Sequence, residues 1–230
     1  MKILICGDAN RAAELKGLLT GDHEISESAE LSPELIDSKG DYDLFFDLNA
    51  DDHPEQLSLL LGLEHKLVFL SSAKKSLAEM AFENSGTEVK SYVYGINALP
   101  GFIERAMLEI SMLNDSNQAY TQLEETMSTL GLDFQKVADR TGLVTPRVIS
   151  MIINEACFTL QEGTASKDDI DLSLKKGTNY PHGPLEWADK IGVENVYQLL
   201  NAVYNDTGDE RYKICPLLKQ YYLKGQPFFE

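Results

Sequence analysis

Two hydrophobic periods divide this sequence, and the point where one gives way to the other limits the folds open to it. Up to residue 112, short apolar runs of strand length alternate with stretches of helical spacing. Ile3 to Cys6 ends at Gly7, and Ala12, Leu15, Leu18 and Leu19 then recur three and four residues apart, which reads as strand, turn, helix. Ile25–Glu30, Leu44–Leu48, Leu67–Leu70 and Tyr92–Ile96 read as further strands, with Met107–Met112 a candidate for one more. Pro54–Leu61 and Ser76–Asn84 read as helices, the first with proline in its opening turn. Strands alternating with helices predict a mainly parallel sheet covered on both faces. Asp115–Leu130 predicts an amphipathic helix stopping before Gly131, followed by an extended piece, Phe134–Ala138.

From Pro146 onward the period of two is gone. Val148, Ile149, Ile152, Ile153, Ala156, Cys157 and Leu160 form one broad helical stripe that Gly163 ends. Ser166 caps a next helix whose first turn carries Asp168 and Asp169, complementing the helix dipole. Pro184 opens a third helix, Val193–Tyr204 is a fourth and Pro216–Leu223 a fifth. The expected organisation is therefore an open α/β domain over residues 1–112, a connecting helix and extended segment over 113–141, and an all-α domain over 142–230.

Net charge is −17, and residues 1–112 alone hold 9 Lys/Arg against 20 Asp/Glu. With no basic face, nucleic acid is excluded as a partner, and the same field opposes a CoA-like polyanion unless a local basic patch offsets it. Cys6, Cys157 and Cys215 are odd in number, far apart and without C-x-x-C spacing, which predicts free thiols in a reducing, cytoplasmic setting. No apolar run approaches the roughly 18 residues of a membrane span, and the apolar stretch after Met1-Lys2 is too short for a signal peptide.

A dinucleotide fold needs glycine at three points of its first βα turn: for tightness, for approach of the pyrophosphate and for helix packing. Here the turn reads Gly7-Asp8-Ala9-Asn10-Arg11-Ala12. Gly7 stands, Ala12 is an accepted third member, and Ala9 puts a methyl where a phosphate oxygen would come close. Asp8 adds a negative charge beside a dianion, which Arg11 near the helix start could partly offset. Glu27 and Glu30 are candidates for holding the ribose hydroxyls, and equally read as solvated carboxylates.

The run Asn179-Tyr180-Pro181-His182-Gly183-Pro184-Leu185-Glu186-Trp187-Ala188-Asp189, with Asn154-Glu155-Ala156 and Glu162-Gly163-Thr164-Ala165-Ser166-Lys167-Asp168-Asp169-Ile170-Asp171 upstream, resembles the C-terminal helical domain of the 3-hydroxyacyl-CoA dehydrogenases. The resemblance is strong over Gly142–Leu223 and faint but colinear over residues 1–141. It implies a Rossmann-type parallel-sheet domain before the helical one, NAD as cofactor, a 3-hydroxyacyl-CoA or related small hydroxy-acid ligand, a place in fatty acid metabolism, and homodimerisation through the helical domain.

In that family a histidine takes the proton of the 3-hydroxyl, a glutamate orients it, and a serine and an asparagine contact the substrate. The histidine lies in a Gly-x-His-Phe-x-Asn-Pro segment, with the glutamate twelve residues on. This sequence offers Gly95-Ile96-Asn97-Ala98-Leu99-Pro100-Gly101 and then Glu109, so Glu109 matches while Asn97 stands at the histidine position. Lys74, in Ser71-Ser72-Ala73-Lys74-Lys75, falls at the serine position, and Pro146, in Thr145-Pro146-Arg147, at the asparagine position. The interval from Glu30 to Leu44 also leaves little room for the family's helical excursion.

Three readings compete: a family member whose oxidoreductase activity is weakened or lost, a pseudoenzyme acting as a binding or scaffold dimer; a working NAD-dependent dehydrogenase with an unlocated base; and a sensor keeping affinity for a nucleotide or acyl-CoA. His182, four residues before Glu186, is a conceivable relocated base, but Gly183-Pro184 between them marks a helix start and predicts that the two do not share a helical face. His23, His53 and His65 have no metal-ligand spacing, and no metal site is expected.

Overall fold

Seven strands are found among the described residues, which in this computed structural model are 1–38, 42–105 and 107–229. They are β1 (Lys2–Cys6), β2 (Glu24–Ser28), β3 (Leu44–Asp47), β4 (Leu67–Ser71), β5 (Tyr92–Ile96), β6 (Met107–Met112) and β7 (Asp133–Lys136), joined in one sheet of order β2-β1-β3-β4-β5-β6-β7. β1 to β5 are parallel, β6 runs against β5, and β7 is parallel to β6. The Rossmann-type reading holds: from β1 the chain goes outward to β2, then returns to the other side of β1 for β3. In an open α/β sheet that reversal leaves a crevice at the carboxyl ends of β1 and β3, where ligands bind.

The sheet forms because its central strands are apolar on both faces. β3 and β4 are buried along their whole length, as parallel strands covered by helices must be. Phe46, Phe69 and Tyr94 lie ring to ring across three neighbouring strands at 5.0 and 4.8 Å, each worth roughly 1.5–3 kcal/mol of burial. The flanking helices are α1 (Ala9–Leu18), α2 (Pro33–Ser38), α3 (Ser58–Leu61), α4 (Leu77–Glu83) and α5 (Asn117–Leu130).

Two expectations change. Residues 113–141 are not a connecting segment: α5 buries Ala119, Leu123, Met127 and Leu130, its Ala119 carbonyl accepts the Tyr94 hydroxyl at 2.8 Å, and β7 is the sheet's last strand. The chain accordingly divides at 143/144. Between Glu30 and Leu44 the sequence reading places no element, yet α2 forms there, with Ser32 as its cap and Pro33 in its first turn. Residues 39–41 of that interval lie outside the described ones. The Pro54–Leu61 helix opens as a 3₁₀ turn, Pro54–Leu57, before α3.

The second unit, residues 144–230, holds α6 (Thr145–Gln161), α7 (Lys167–Gly177), α8 (Pro184–Ile191), α9 (Val193–Thr207) and α10 (Pro216–Lys224). Ile149, Ile153, Ala156 and Cys157 are the buried side of α6. Its Asn154 is buried too, donating to the Lys213 carbonyl and accepting from the Cys215 N–H, both at 2.9 Å, so both ends of its amide are satisfied. No described helix is long and apolar enough to cross a membrane.

Candidate functional site

The crevice at β1 and β3 is built from the loops that leave the strands. Gly7 is required there by a side chain: a Cβ on residue 7 would come within 2.9 Å of the Leu48 Cβ. Asp8 is the N-cap of α1, its carboxylate accepting the N–H groups of Asn10 at 3.0 Å and Arg11 at 3.1 Å. Partial burial pushes Asp8 up, but the Arg11 guanidinium and these N–H bonds outweigh it and hold the carboxyl below its ordinary range. The N–H groups that would receive a phosphate are thus already bonded to a carboxylate.

Arg11 itself crosses the crevice. Its Nε pairs with Asp8, one terminal nitrogen donates to the Leu48 carbonyl at 2.5 Å and the Ala98 carbonyl at 3.4 Å, and the other donates to Asn49 Oδ1. Ala9 is exposed on the first turn, and Ala12, 2% exposed, packs into the core. Glu27 is half-exposed on β2 and paired with Lys16 of α1, while Glu30 stands exposed after that strand and its carbonyl accepts the Ser28 hydroxyl at 2.8 Å. These residues do not fit a dinucleotide: the helix terminus carries its own anion and the crevice its own guanidinium.

The positions matched to the catalytic histidine and glutamate lie on neighbouring parts of the sheet. β5 pairs β6 as far as Ile96 opposite Ile110, so Asn97 leaves the end of β5 while Glu109 lies within β6. Asn97 is 7% exposed, and its Oδ1 accepts the Leu99 N–H at 3.2 Å, an Asx turn that fixes the chain leaving β5. Each of the four histidines is engaged elsewhere: His23 with the Thr20 carbonyl at 2.8 Å, His53 beside Glu55 at 3.5 Å, His65 against Tyr92 at 6.4 Å, and His182 with Glu186 at 2.9 Å.

Lys74 leaves the end of β4, next to β5 through the Ser71–Ile96 pairing. Its backbone N–H donates to Asp51 Oδ2 at 2.9 Å and its Nζ pairs with Asp52, so this cation is buried against the loop after β3. Burial pushes Asp51 up, with Lys74 pulling the other way. Pro146 belongs to the second unit, buried in the first turn of α6, where it offers a substrate no side-chain hydrogen bond.

The motif that carries the resemblance is structural. Asp171 of α7 accepts the N–H groups of Leu185 at 2.8 Å and Glu186 at 2.9 Å, capping α8 from fourteen residues upstream. Asp189 accepts those of Phe228 at 2.7 Å and Phe229 at 2.8 Å, and Lys167 donates to the Phe228 carbonyl, which folds the last residues onto the unit. As expected from Gly183-Pro184, His182 lies outside α8 and shares no helical face with Glu186, yet the two side chains meet. His182 sits just before the cap residue Gly183, so its ring folds over the first turn of α8 onto the Glu186 carboxylate, which Lys175 also holds at 3.0 Å. Sequence reasoning missed Asp51, took Asp171 and Asp189 only as members of the motif without their capping roles, and gave Arg11 only a share in offsetting charge; Asp-to-backbone capping at long separation leaves no local pattern to read.

An open α/β sheet followed by a helical unit is the fold this chain shares with solved 3-hydroxyacyl-CoA dehydrogenases. Residues 142–227 match the family described as 3-hydroxyacyl-CoA dehydrogenase, C-terminal domain. The chain is 44% identical over 85 residues to the 3-hydroxyadipyl-CoA dehydrogenase of Escherichia coli K12, covering 37% of this chain and 18% of that protein. It is 27% identical over 161 residues to a probable 3-hydroxybutyryl-CoA dehydrogenase of Bacillus subtilis, covering 70% of this chain and 55% of that one. The chain thus spans about half or less of these relatives' length. In fold it is similar to the crystal structure of (S)-3-hydroxybutyryl-CoA dehydrogenase from Ralstonia eutropha, with a TM-score of 0.75 at 20% identity over 97% of this chain and 94% of that one. Residues 142–227 thus match the C-terminal domain of the 3-hydroxyacyl-CoA dehydrogenases, and the sequence likeness is concentrated in the helical unit.

Proposed function

We propose that this chain is a 3-hydroxyacyl-CoA dehydrogenase-like protein that no longer carries out NAD-dependent oxidoreduction and serves as a binding or scaffold dimer assembled through its helical unit. The observation behind this reading is Asn97. The family's chemistry needs a group that accepts the 3-hydroxyl proton as hydride leaves, and a carboxamide has no usable proton affinity. Its Oδ1 is in addition bonded to the Leu99 N–H, so the amide serves the turn that leaves β5. Loss of a general base alone removes about 10²–10⁴ in rate, and Lys74 and Pro146 remove two further substrate contacts. Three buried free thiols fit a reducing compartment, and we place the protein in the cytoplasm.

The test is consumption of NADH with acetoacetyl-CoA, followed by absorbance against a buffer blank. No turnover above the blank is expected. Saturable turnover abolished by Glu109→Gln would restore the competing reading of an active dehydrogenase.

A further inference from the structure

The geometry points to Arg11 as an internal replacement for the dinucleotide: its guanidinium, with the Asp8 carboxylate, occupies the crevice and holds together the loops that a bound cofactor would bridge. This is independent of Asn97, since it concerns binding and not proton transfer.

Three strand exits meet at this one side chain. Asp8 follows β1, Leu48 and Asn49 follow β3, and Ala98 follows β5; all contact Arg11 directly. Asn49 extends the link to the exit of β2 by donating from Nδ2 to the Ala29 carbonyl at 3.0 Å. Below Arg11 on the same helix, Glu14 accepts the Gly101 N–H with both oxygens at 3.1 Å, tying α1 to the β5 exit a second time. A guanidinium has five N–H donors, and these contacts use Nε and both terminal nitrogens. Only 12% of the Arg11 side chain is exposed, so it is not a free cation waiting for a phosphate. To enter, a pyrophosphate would have to expel the Asp8 carboxylate from the helix terminus and strip a largely desolvated guanidinium of its acceptors, leaving buried donors unsatisfied.

The claim is tested on the full chain with NADH as probe, by calorimetric titration and by thermal melting. Wild-type protein is expected to show no saturable uptake and no rise in melting temperature at about 1 mM NADH. Arg11→Ala is expected to melt lower by several degrees, and 1 mM NADH is expected to recover part of that loss. Arg11→Lys, which keeps the charge but cannot span three exits, is expected to behave like Arg11→Ala. Should Arg11→Ala fail to fold, Asn49→Ala, which removes one arm of the bridge, gives the same two readouts. Micromolar NADH binding by the wild type overturns the inference. So does an unchanged melting temperature in the variants, which would mean that Arg11 bridges nothing, or a lowered one that NADH leaves untouched, which would mean that the guanidinium does not stand in the nucleotide's place.

Discussion

Asp47 shows how a single side chain's surroundings set its chemistry. It ends β3, is 3% exposed, and burial pushes its carboxyl up to about 6; the Asn49 N–H, His53 and Arg11 pull it down and Asp51 pushes it further up. A carboxyl whose folded pKa exceeds its unfolded one, near 3.9, favours folding while protonated. That contribution is complete below about pH 4 and is lost as pH rises to about 6, amounting to roughly 3 kcal/mol in full. Asp47→Asn keeps an oxygen for the Asn49 N–H, at 3.0 Å in the native chain, and removes the titration. The variant should match wild type in melting temperature near pH 4 and exceed it by roughly 5–10 °C at pH 7–8; equal melting curves at both pH values would refute the burial argument. The positions of Asn97 and Glu109, at the end of β5 and within β6, could be read from sequence, because twelve residues separate two recognisable segments. Asp47 could not, since its burial comes from neighbours on β1 and β4 and not from its own surroundings in the chain. A related expectation concerns the base: Asn97→His alone should leave the protein inactive with acetoacetyl-CoA and NADH, because Lys74 and Pro146 still stand at the positions of two substrate contacts and Arg11 still bridges the exits of β1 and β3.

At the level of elements, the start of α8 shows why the family's motif is so legible while its partner is not. Pro184 and the glycine before it announce a helix start, and the predicted start is where the helix begins. What stabilises it is Asp171, a residue of the preceding helix. A Cβ on residue 183 would run into the Asp171 carboxylate and come within 2.6 Å of its Cα, so glycine is needed for close approach. Gly183→Ala must therefore separate α7 from α8 and break two capping bonds, which predicts a loss above ~3 kcal/mol in urea unfolding. Asp171→Ala, which leaves the backbones where they are, should cost only about 1–2 kcal/mol. If the two variants lose the same amount, the cap and not the backbone approach is what Gly183 serves. The same logic explains the short helix α2: its cap and proline are in the sequence, but six residues are too few for hydrophobic periodicity to mark.

Across the whole molecule, charge is divided unequally in a way that bears on association. Residues 1–143 hold 11 Lys/Arg against 25 Asp/Glu, whereas residues 144–230 hold 9 against 12. Two copies approaching through the sheet unit would meet at strongly like charge, while the helical unit presents a nearly balanced surface. That unit also leaves Val148 52% and Leu172 53% exposed, apolar side chains that gain from being covered. The proposed dimer follows this asymmetry, and its salt response has a definite sign. The net charge of −17 repels a second copy at every contact geometry, and salt shortens the reach of that repulsion from about 10 Å at 0.1 M ionic strength to a few Å near 1 M. Light scattering after size exclusion should therefore give a dimer whose dissociation falls as salt rises, the opposite of an interface held by ion pairs. Val148→Glu and Leu172→Glu should each shift the protein toward monomer without lowering the melting temperature of the sheet unit. A monomer at all salt concentrations, or a dimer that salt dissociates, would remove the helical unit's apolar surface as the basis of assembly.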